Sequence, residues 1–523
     1  MSDVAVKQEN VRAFRIWSAA LIALYVAVCF AGWSRTLLPD EIRPLILAQE
    51  SPRALLQLAR DDIVQTPGSY LVAQAWLNIF GHTDAAAKAL AAAVGAATLL
   101  LFALLARRIT PHWRMASLLW CLIYLRVGSS PNLVRMYGLL VLCVVAALLV
   151  WDHWRRNPRH TSLIAWALLM SAAIYMHPSA VLTVGATTVA VWLLGPRKLA
   201  FTTAALVPVL SLLLWVAIVY PVYRTRGLDA NVEALADDPT REMARLPFYF
   251  LTGDPPGASS PLEDRYVLGT PSWMRWAAIL LGLGLAGLAA PAILRRVRDR
   301  EADRSPRDDW LLANFLLVTL PVLALYAVSL LTQPVLGARY LYCTLPALVL
   351  LIVELAGLGG LAGRAVLTAM MLWVALSAAY ALRINRRPVP AHSAVAYLDQ
   401  NLEPADLILI GHHSGLGWQF FWEWTRARHR TEPVHILPTV QPEWLRRIVP
   451  AETFDSIDFT AARRVWLVNR RPNVRAEVET RLPPLGFVLA DSTVQDMHFL
   501  SLYSRTEPGG RPGAAAGATV PPR

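Results

Sequence analysis

A chain of 523 residues in which 55% are hydrophobic and only 16% charged, with a mean hydropathy of +0.42, is too apolar for a water-soluble protein of this length and reads as an integral membrane protein. Its formal charge of +12 does not indicate nucleic acid as a partner, because the arginines sit in short clusters between apolar runs and form no continuous basic face. Cys29, Cys121, Cys143 and Cys343 all lie in or beside apolar runs, which excludes a disulfide framework and a paired-thiol metal motif.

In chain order the apolar runs predict about eleven spans, near 14–31, 85–106, 114–127, 136–151, 162–177, 179–194, 199–221, 274–294, 310–331, 340–358 and 364–382. The runs 114–127 and 136–151 are shorter than a hydrocarbon core requires, so they are expected to tilt, to end at a cavity or to extend further. No Ala-x-Ala cleavage signal follows the first run, which is therefore read as a retained span.

Basic clusters set the expected orientation. Arg12 and Arg15, Arg107-Arg108 with Arg114, Arg155-Arg156 with Arg159, Arg197-Lys198, the cluster 295–307 and Arg364 fall on alternate loops if the N-terminus is cytoplasmic. This places loop 32–83, turn 125–134, loop 224–273, turn 332–339 and everything after 382 on the external face, periplasmic in a bacterium.

Loop 32–83 opens with Leu38-Pro39-Asp40-Glu41-Ile42-Arg43-Pro44, two adjacent carboxylates and an arginine between prolines at the mouth of the first span. Asp40 and Glu41 are both candidates for a general base, and residue spacing does not rank them, since adjacent side chains on a helix do not face one point. Arg43 offers a planar fork to a phosphate or to the carboxylates. Pro44 is expected to open a surface helix carrying Leu45, Leu47, Leu55, Leu56 and Leu58, interrupted at Ser51-Pro52, and 71–80 is expected to form a second one.

Later external segments add further candidates. Arg135 begins the fourth run and needs water, an anion or an acidic partner, with Tyr137 two residues on. Tyr175-Met176-His177-Pro178-Ser179 breaks the chain between two spans, where His177 is suited to packing, to coordination, to hydrogen bonding a phosphate or to relaying a proton. Loop 224–273 is rich in both charges, with a helix expected near 231–246. Arg339 precedes Tyr340 at the start of another run and is suited to a phosphodiester at the membrane boundary.

After 383 the pattern changes to short helices and strands, near 393–402, 406–411, 417–425, 435–438, 464–469, 487–490 and 497–505. The expected organisation is a transmembrane domain 1–382, an external α/β domain 383–505 and a Gly/Pro/Ala-rich flexible tail 506–523. No cofactor is called for. A divalent metal stays open, although His177 lacks a spaced histidine partner and His412-His413 lack a third ligand.

Taken in order, Asp40-Glu41, Gln65-Thr66-Pro67-Gly68-Ser69-Tyr70, Phe80-Gly81 with Asp84 and Lys88, Val134-Arg135-Met136-Tyr137, Tyr175-Met176-His177 and Gly337-Ala338-Arg339-Tyr340 resemble the motifs of the C-type membrane glycosyltransferases. The similar group contains the protein O-mannosyltransferases and the lipid A aminoarabinose transferases, and the resemblance covers about 14–382. It implies a polytopic helical bundle that transfers a sugar from a polyprenyl-phosphate donor to a hydroxyl of a lipid, glycan or protein acceptor, with inversion, at the external face of a bacterial inner membrane. In that resemblance Asp40 looks like the base and Glu41 its acidic companion, while Arg135, Arg339 and His177 look like ligands of the donor phosphate. Lys88 stands where an arginine is common, Leu133 where many relatives carry glutamate, and Gln65 and Gly68 where a histidine and a second proline are common. Arg43, Gln65, Lys88, Tyr137, Tyr175 and Tyr340 are the expected supporting contacts. Competing readings are a transporter or flippase of a lipid-linked glycan, and a non-catalytic glycan-assembly partner.

Overall fold

The computed structural model describes residues 3–31, 44–45, 47–48, 50–62, 66–127, 136–195, 197–226, 306–331, 338–385, 390–411, 434–437, 454–469, 481–495 and 498–506, with isolated positions between them. Two compact units emerge. The larger is helical: α1 (Asp3–Ala31), α2 (Pro52–Asp62), α3 (Gly68–Phe80), α4 (Asp84–Ile109), α5 (Trp113–Val127), α6 (Met136–Arg156), α7 (His160–Met176), α8 (Ala180–Leu194), α9 (Lys198–Arg226), α10 (Pro306–Leu331), α11 (Leu345–Leu358) and α12 (Gly360–Asn385). Seven of these stretches are long and apolar enough to cross a membrane, and α5, α7 and α8 are shorter apolar helices. The protein is a multi-pass membrane protein. The expected eleven spans are not reproduced as such, because run 274–294 lies outside the described residues except for Gly284 and Gly287.

Local chemistry explains where the helices begin and end. Thr83 caps α4, its side chain accepting from the Ala86 amide at 3.1 Å, and Asp84 in the first turn with Arg107 and Arg108 in the last complements the helix dipole. Residues 44, 45 and 47 are helical and the chain breaks at Ser51 before α2 begins at Pro52, the interruption expected there; Ser51 Oγ accepts from the Ala54 amide at 3.2 Å, and proline is pre-formed for a first helical position. Leu55 of α2 is buried whereas Leu56 is exposed. Run 136–151 proves longer than its apolar residues suggested: α6 continues to Arg156, with His153, Arg155 and Arg156 in its last turn. The run expected at 340–358 is a 3₁₀ helix, Ala338–Thr344, followed by α11.

The core of this unit is aromatic and tightly packed. Trp120, Trp151, Trp154, Trp166, Phe102 and Phe201 are fully buried. Phe102 stacks on Trp120 with ring centres 4.7 Å apart, and Phe201 lies between Trp154 and Trp166 at 5.2 and 4.5 Å, separations at which aromatic pairs add to simple burial. Gly95 of α4 lets α1 approach so closely that any added Cβ would collide with the Tyr25 ring. The bare faces are apolar too: Leu206, Leu210, Leu213 and Leu214 of α9 are all more than half exposed, as a lipid-facing helix requires.

The smaller unit comprises α13 (Pro390–Asn401) and five strands, β1 (Asp406–Gly411), β2 (Val434–Leu437), β3 (Arg464–Asn469), β4 (Phe487–Gln495) and β5 (His498–Arg505). Their order is β2-β1-β3-β5-β4, parallel between β1 and both β2 and β3 and antiparallel from β3 through β5 to β4. β1 is buried along its whole length, which matches its unbroken apolar sequence. β4 runs further than the apolar 487–490 suggested, because a bulge between Leu489 and Asp491 lets polar residues continue the pairing with β5. Asp406, buried at the start of β1, accepts two bonds from Arg464, at 2.9 and 2.6 Å, and one from Trp466 Nε1 at 3.0 Å. That contact raises the Arg464 guanidinium above its ordinary value. The segment expected to be helical at 417–425, His412-His413 and the tail from 507 lie outside the described residues.

Candidate functional site

Polar side chains of the helical unit gather at two opposite ends of the bundle. One end holds the break after α7, the start of α6 and the 3₁₀ helix. His177 follows the last residue of α7, its amide donating to the Ala173 carbonyl at 2.9 Å, and Pro178 prevents the helix from continuing. The imidazole is buried, only 4% exposed. It lies between Tyr137 of α6, ring centres 5.3 Å apart, and Tyr340 of the 3₁₀ helix, stacked at 5.4 Å. Tyr137 also meets Tyr342 edge-on at 5.1 Å. Three motifs separated by long stretches of sequence are thereby brought to one point.

Ser179 sets the chemistry of that imidazole. Its amide donates to His177 Nδ1 at 3.2 Å and its hydroxyl lies 2.8 Å from the same nitrogen. A ring nitrogen that accepts from an amide carries no proton, so the neutral imidazole bears its hydrogen on Nε2, as a donor. Cys343 Sγ contacts the Ser179 carbonyl at 3.7 Å, tying the 3₁₀ helix to the same turn.

The Thr66-Pro67-Gly68 segment packs against the end of α7. Thr66, fully buried, donates from Oγ1 to the Ile174 carbonyl at 3.1 Å. Gly68 sits so close to the Tyr175 carbonyl that a Cβ there would clash with backbone. A second proline or any larger residue would not fit, which accounts for glycine at this motif position. Gln74 of α3 donates to the Glu50 carbonyl at 2.5 Å, joining the chain before α2 to α3.

Of the expected site residues, Tyr137, His177 and Tyr340 converge. Tyr175 does not join them: its hydroxyl reaches the Ser211 carbonyl of α9 at 3.5 Å, a structural contact on the other side of α7. Lys88 is buried, one turn beyond Asp84 on α4 and only 4% exposed. Arg339 lies in the 3₁₀ helix, directly before Tyr340. Asp40, Glu41, Arg43, Gln65 and Arg135 lie outside the described residues, as does loop 224–273 apart from the end of α9, Met243 and Leu246. Among the described residues no three His, Cys, Asp or Glu side chains are grouped to hold a metal ion. Ser179 closes the Tyr175 to Ser179 motif without a role legible in sequence, and Tyr342 carries no motif of its own. Their signals were the spacings His177-x-Ser179 and Tyr340-x-Tyr342, which acquire meaning only once the turn and the 3₁₀ helix are known.

The opposite end is cationic. Asp152 of α6, 1% exposed, accepts from Arg156 Nε at 3.1 Å and from Trp310 Nε1 of α10 at 3.2 Å. Arg108 of α4 is 3.8 Å from its other oxygen. Arg155 pairs with Asp309 at 2.9 Å and lies over the rings of Trp151 and Trp310. Arg197 donates to the Pro158 carbonyl at 2.9 Å. Three of the basic clusters that alternate along the sequence therefore share one end of the bundle.

No family model and no curated protein matches the sequence. Among solved structures, ArnT from Cupriavidus metallidurans bound to undecaprenyl phosphate is similar, with a TM-score of 0.51 and 14% identity over 93% of this chain and 98% of that one. The likeness is one of fold, and it is the fold that the motif resemblance implied.

Proposed function

From a fold shared with ArnT, we propose that this chain is a membrane glycosyltransferase that moves a sugar from a polyprenyl-phosphate donor to an acceptor hydroxyl. The observation that carries the proposal is the convergence of Tyr137, His177 and Tyr340 at one end of a bundle whose likeness was solved with undecaprenyl phosphate bound. Each of the three belongs to a motif that also contains, or adjoins, an expected phosphate ligand.

In the proposed reaction Asp40 takes the proton of the acceptor hydroxyl, with Glu41 as its acidic companion. The acceptor oxygen attacks the anomeric carbon from the side opposite the phosphate, so its configuration inverts. The bond between that carbon and the phosphate oxygen breaks, and its electron pair leaves with the lipid phosphate. Arg135 and Arg339 offset the growing charge on the phosphate, and His177 adds a neutral donor through Nε2. Arg43, Gln65 and Lys88 would support the acidic loop and the polar groups of donor or acceptor. The polyprenyl tail stays among the spans, so positioning supplies much of the rate.

The cationic end meets the cytoplasm in this reading, and the histidine end opens to the periplasm of a bacterial inner membrane. The deciding experiment supplies purified full-length protein with labelled polyprenyl-phosphate sugars and a panel of acceptors, and compares Asp40→Asn. Transfer by the parent chain that falls by about a hundredfold or more in the variant is expected. Unchanged transfer in Asp40→Asn rejects Asp40 as the base, and absence of transfer across a broad panel rejects the reading itself.

A further inference from the structure

The cationic end contains a cavity of about 350 Å³ between the close of α4 and the opening of α5, lined by Arg107, Arg108, Ile109, Thr110, Pro111 and Trp113. Its walls differ in chemistry. Phe14 of α1 packs on Trp113 with ring centres 5.6 Å apart, and two guanidinium groups cover this pair: Arg107 lies 4.8 Å from the Phe14 ring and Arg114 5.3 Å from the Trp113 ring. Trp113, backed by Phe14, is thus the aromatic residue of the lining, and Arg107 and Arg108 are its cations.

The neighbouring carboxylates are already engaged. Asp152 is held by Arg156 through two nitrogens and by Trp310, while Asp309 is held by Arg155. Arg108, 45% exposed, reaches Asp152 only at 3.8 Å. Among the described residues no carboxylate comes within ion-pair distance of Arg107 or Arg114. Two arginines line this small cavity and a third, Arg114, covers the ring of its Trp113, with the local counter-charges committed elsewhere, which favours a bound anion.

We infer that this cavity is a binding site for the phosphodiester headgroup of an anionic phospholipid, with Trp113 against its glycerol and upper acyl region. Aromatic side chains and arginines side by side at the ends of spans match the boundary between headgroups and hydrocarbon. A free phosphate would use the arginines without needing the aromatic wall. The site lies at the end of the bundle opposite His177, so it neither depends on nor competes with the proposed transfer reaction.

The test uses the delipidated full-length protein in detergent. Retained lipid is counted by native mass spectrometry, and the melting temperature is followed, after addition of phosphatidylglycerol, phosphatidylcholine or inorganic phosphate. Phosphatidylglycerol should be retained and raise the melting temperature, phosphatidylcholine and phosphate should do neither, and Arg107→Gln with Arg108→Gln should weaken retention by about tenfold or more. Arg107→Gln alone, which leaves the Asp152 pairing intact, keeps the test interpretable if the double variant folds poorly, and Arg107→Lys should restore most of the retention. Equal retention of both lipids, or retention unchanged in the glutamine variants, overturns the inference. An equal effect of inorganic phosphate overturns it in favour of a soluble anion.

Discussion

His177 shows how much one residue's role depends on its immediate contacts. Two donors from Ser179 hold Nδ1 as an acceptor, and tyrosine rings restrain the imidazole from two directions. A ring so held keeps a fixed direction, and in the proposed reaction its Nε2 is the donor to the phosphate. His177→Phe keeps an aromatic ring in the cluster and removes the Nε2 donor. The expected result is a fall in turnover of about a hundredfold, typical of losing one donor to developing charge, with the melting temperature in detergent nearly unchanged. A fall in melting temperature that matches the loss of activity would assign the histidine to packing alone. Gly68 and Thr66 act differently at the same end: they let the start of α3 approach the backbone of α7 closely, and their contribution is position.

At the level of elements, α6 joins the two ends of the bundle. It begins at Met136, beside Tyr137 in the aromatic cluster, and ends in a turn whose charges are paired across helices. The apolar run stops near 151, yet the helix continues because Asp152 is compensated by Arg156 and Trp310. Removing that carboxylate leaves the buried indole N–H of Trp310 without its acceptor and costs the exposed Arg156 guanidinium one partner. Asp152→Ala is expected to cost about 1–2 kcal/mol, read as a lowered melting temperature of the detergent-solubilised protein. Asp152→Asn keeps an oxygen acceptor for Trp310 and should cost less. Equal stability of the parent and alanine variant would show the network to be incidental.

For the whole molecule, polar chemistry separates by end. Aromatic and hydroxyl groups surround His177 at one end, and arginines with two carboxylates occupy the other. The proposed orientation, with the arginine end toward the cytoplasm as the positive-inside rule expects, is open to a direct test. A reporter enzyme that is active only outside the cytoplasm, fused after Thr506, should be active in cells, and the same reporter inserted between Asn157 and His160 should be silent. The reverse pattern would invert the orientation and remove access of the histidine end to an external acceptor.

Composition and the spacing of apolar runs determined that the chain is a polytopic membrane protein with a separate α/β portion, because lipid forces each span to be long, helical and nearly free of charge. Ordered short motifs were enough to anticipate the fold. They could not separate Tyr137, His177 and Tyr340, which meet, from Tyr175, which turns toward α9, because a motif does not encode which side of a helix end will face a distant neighbour. The extension of α6 beyond its apolar run, the 3₁₀ start before α11, the Ser179 contacts that set the His177 tautomer and the arginine-rimmed cavity were all decided by tertiary structure. Each depends on a partner more than twenty residues away or on a local turn whose shape that packing imposes.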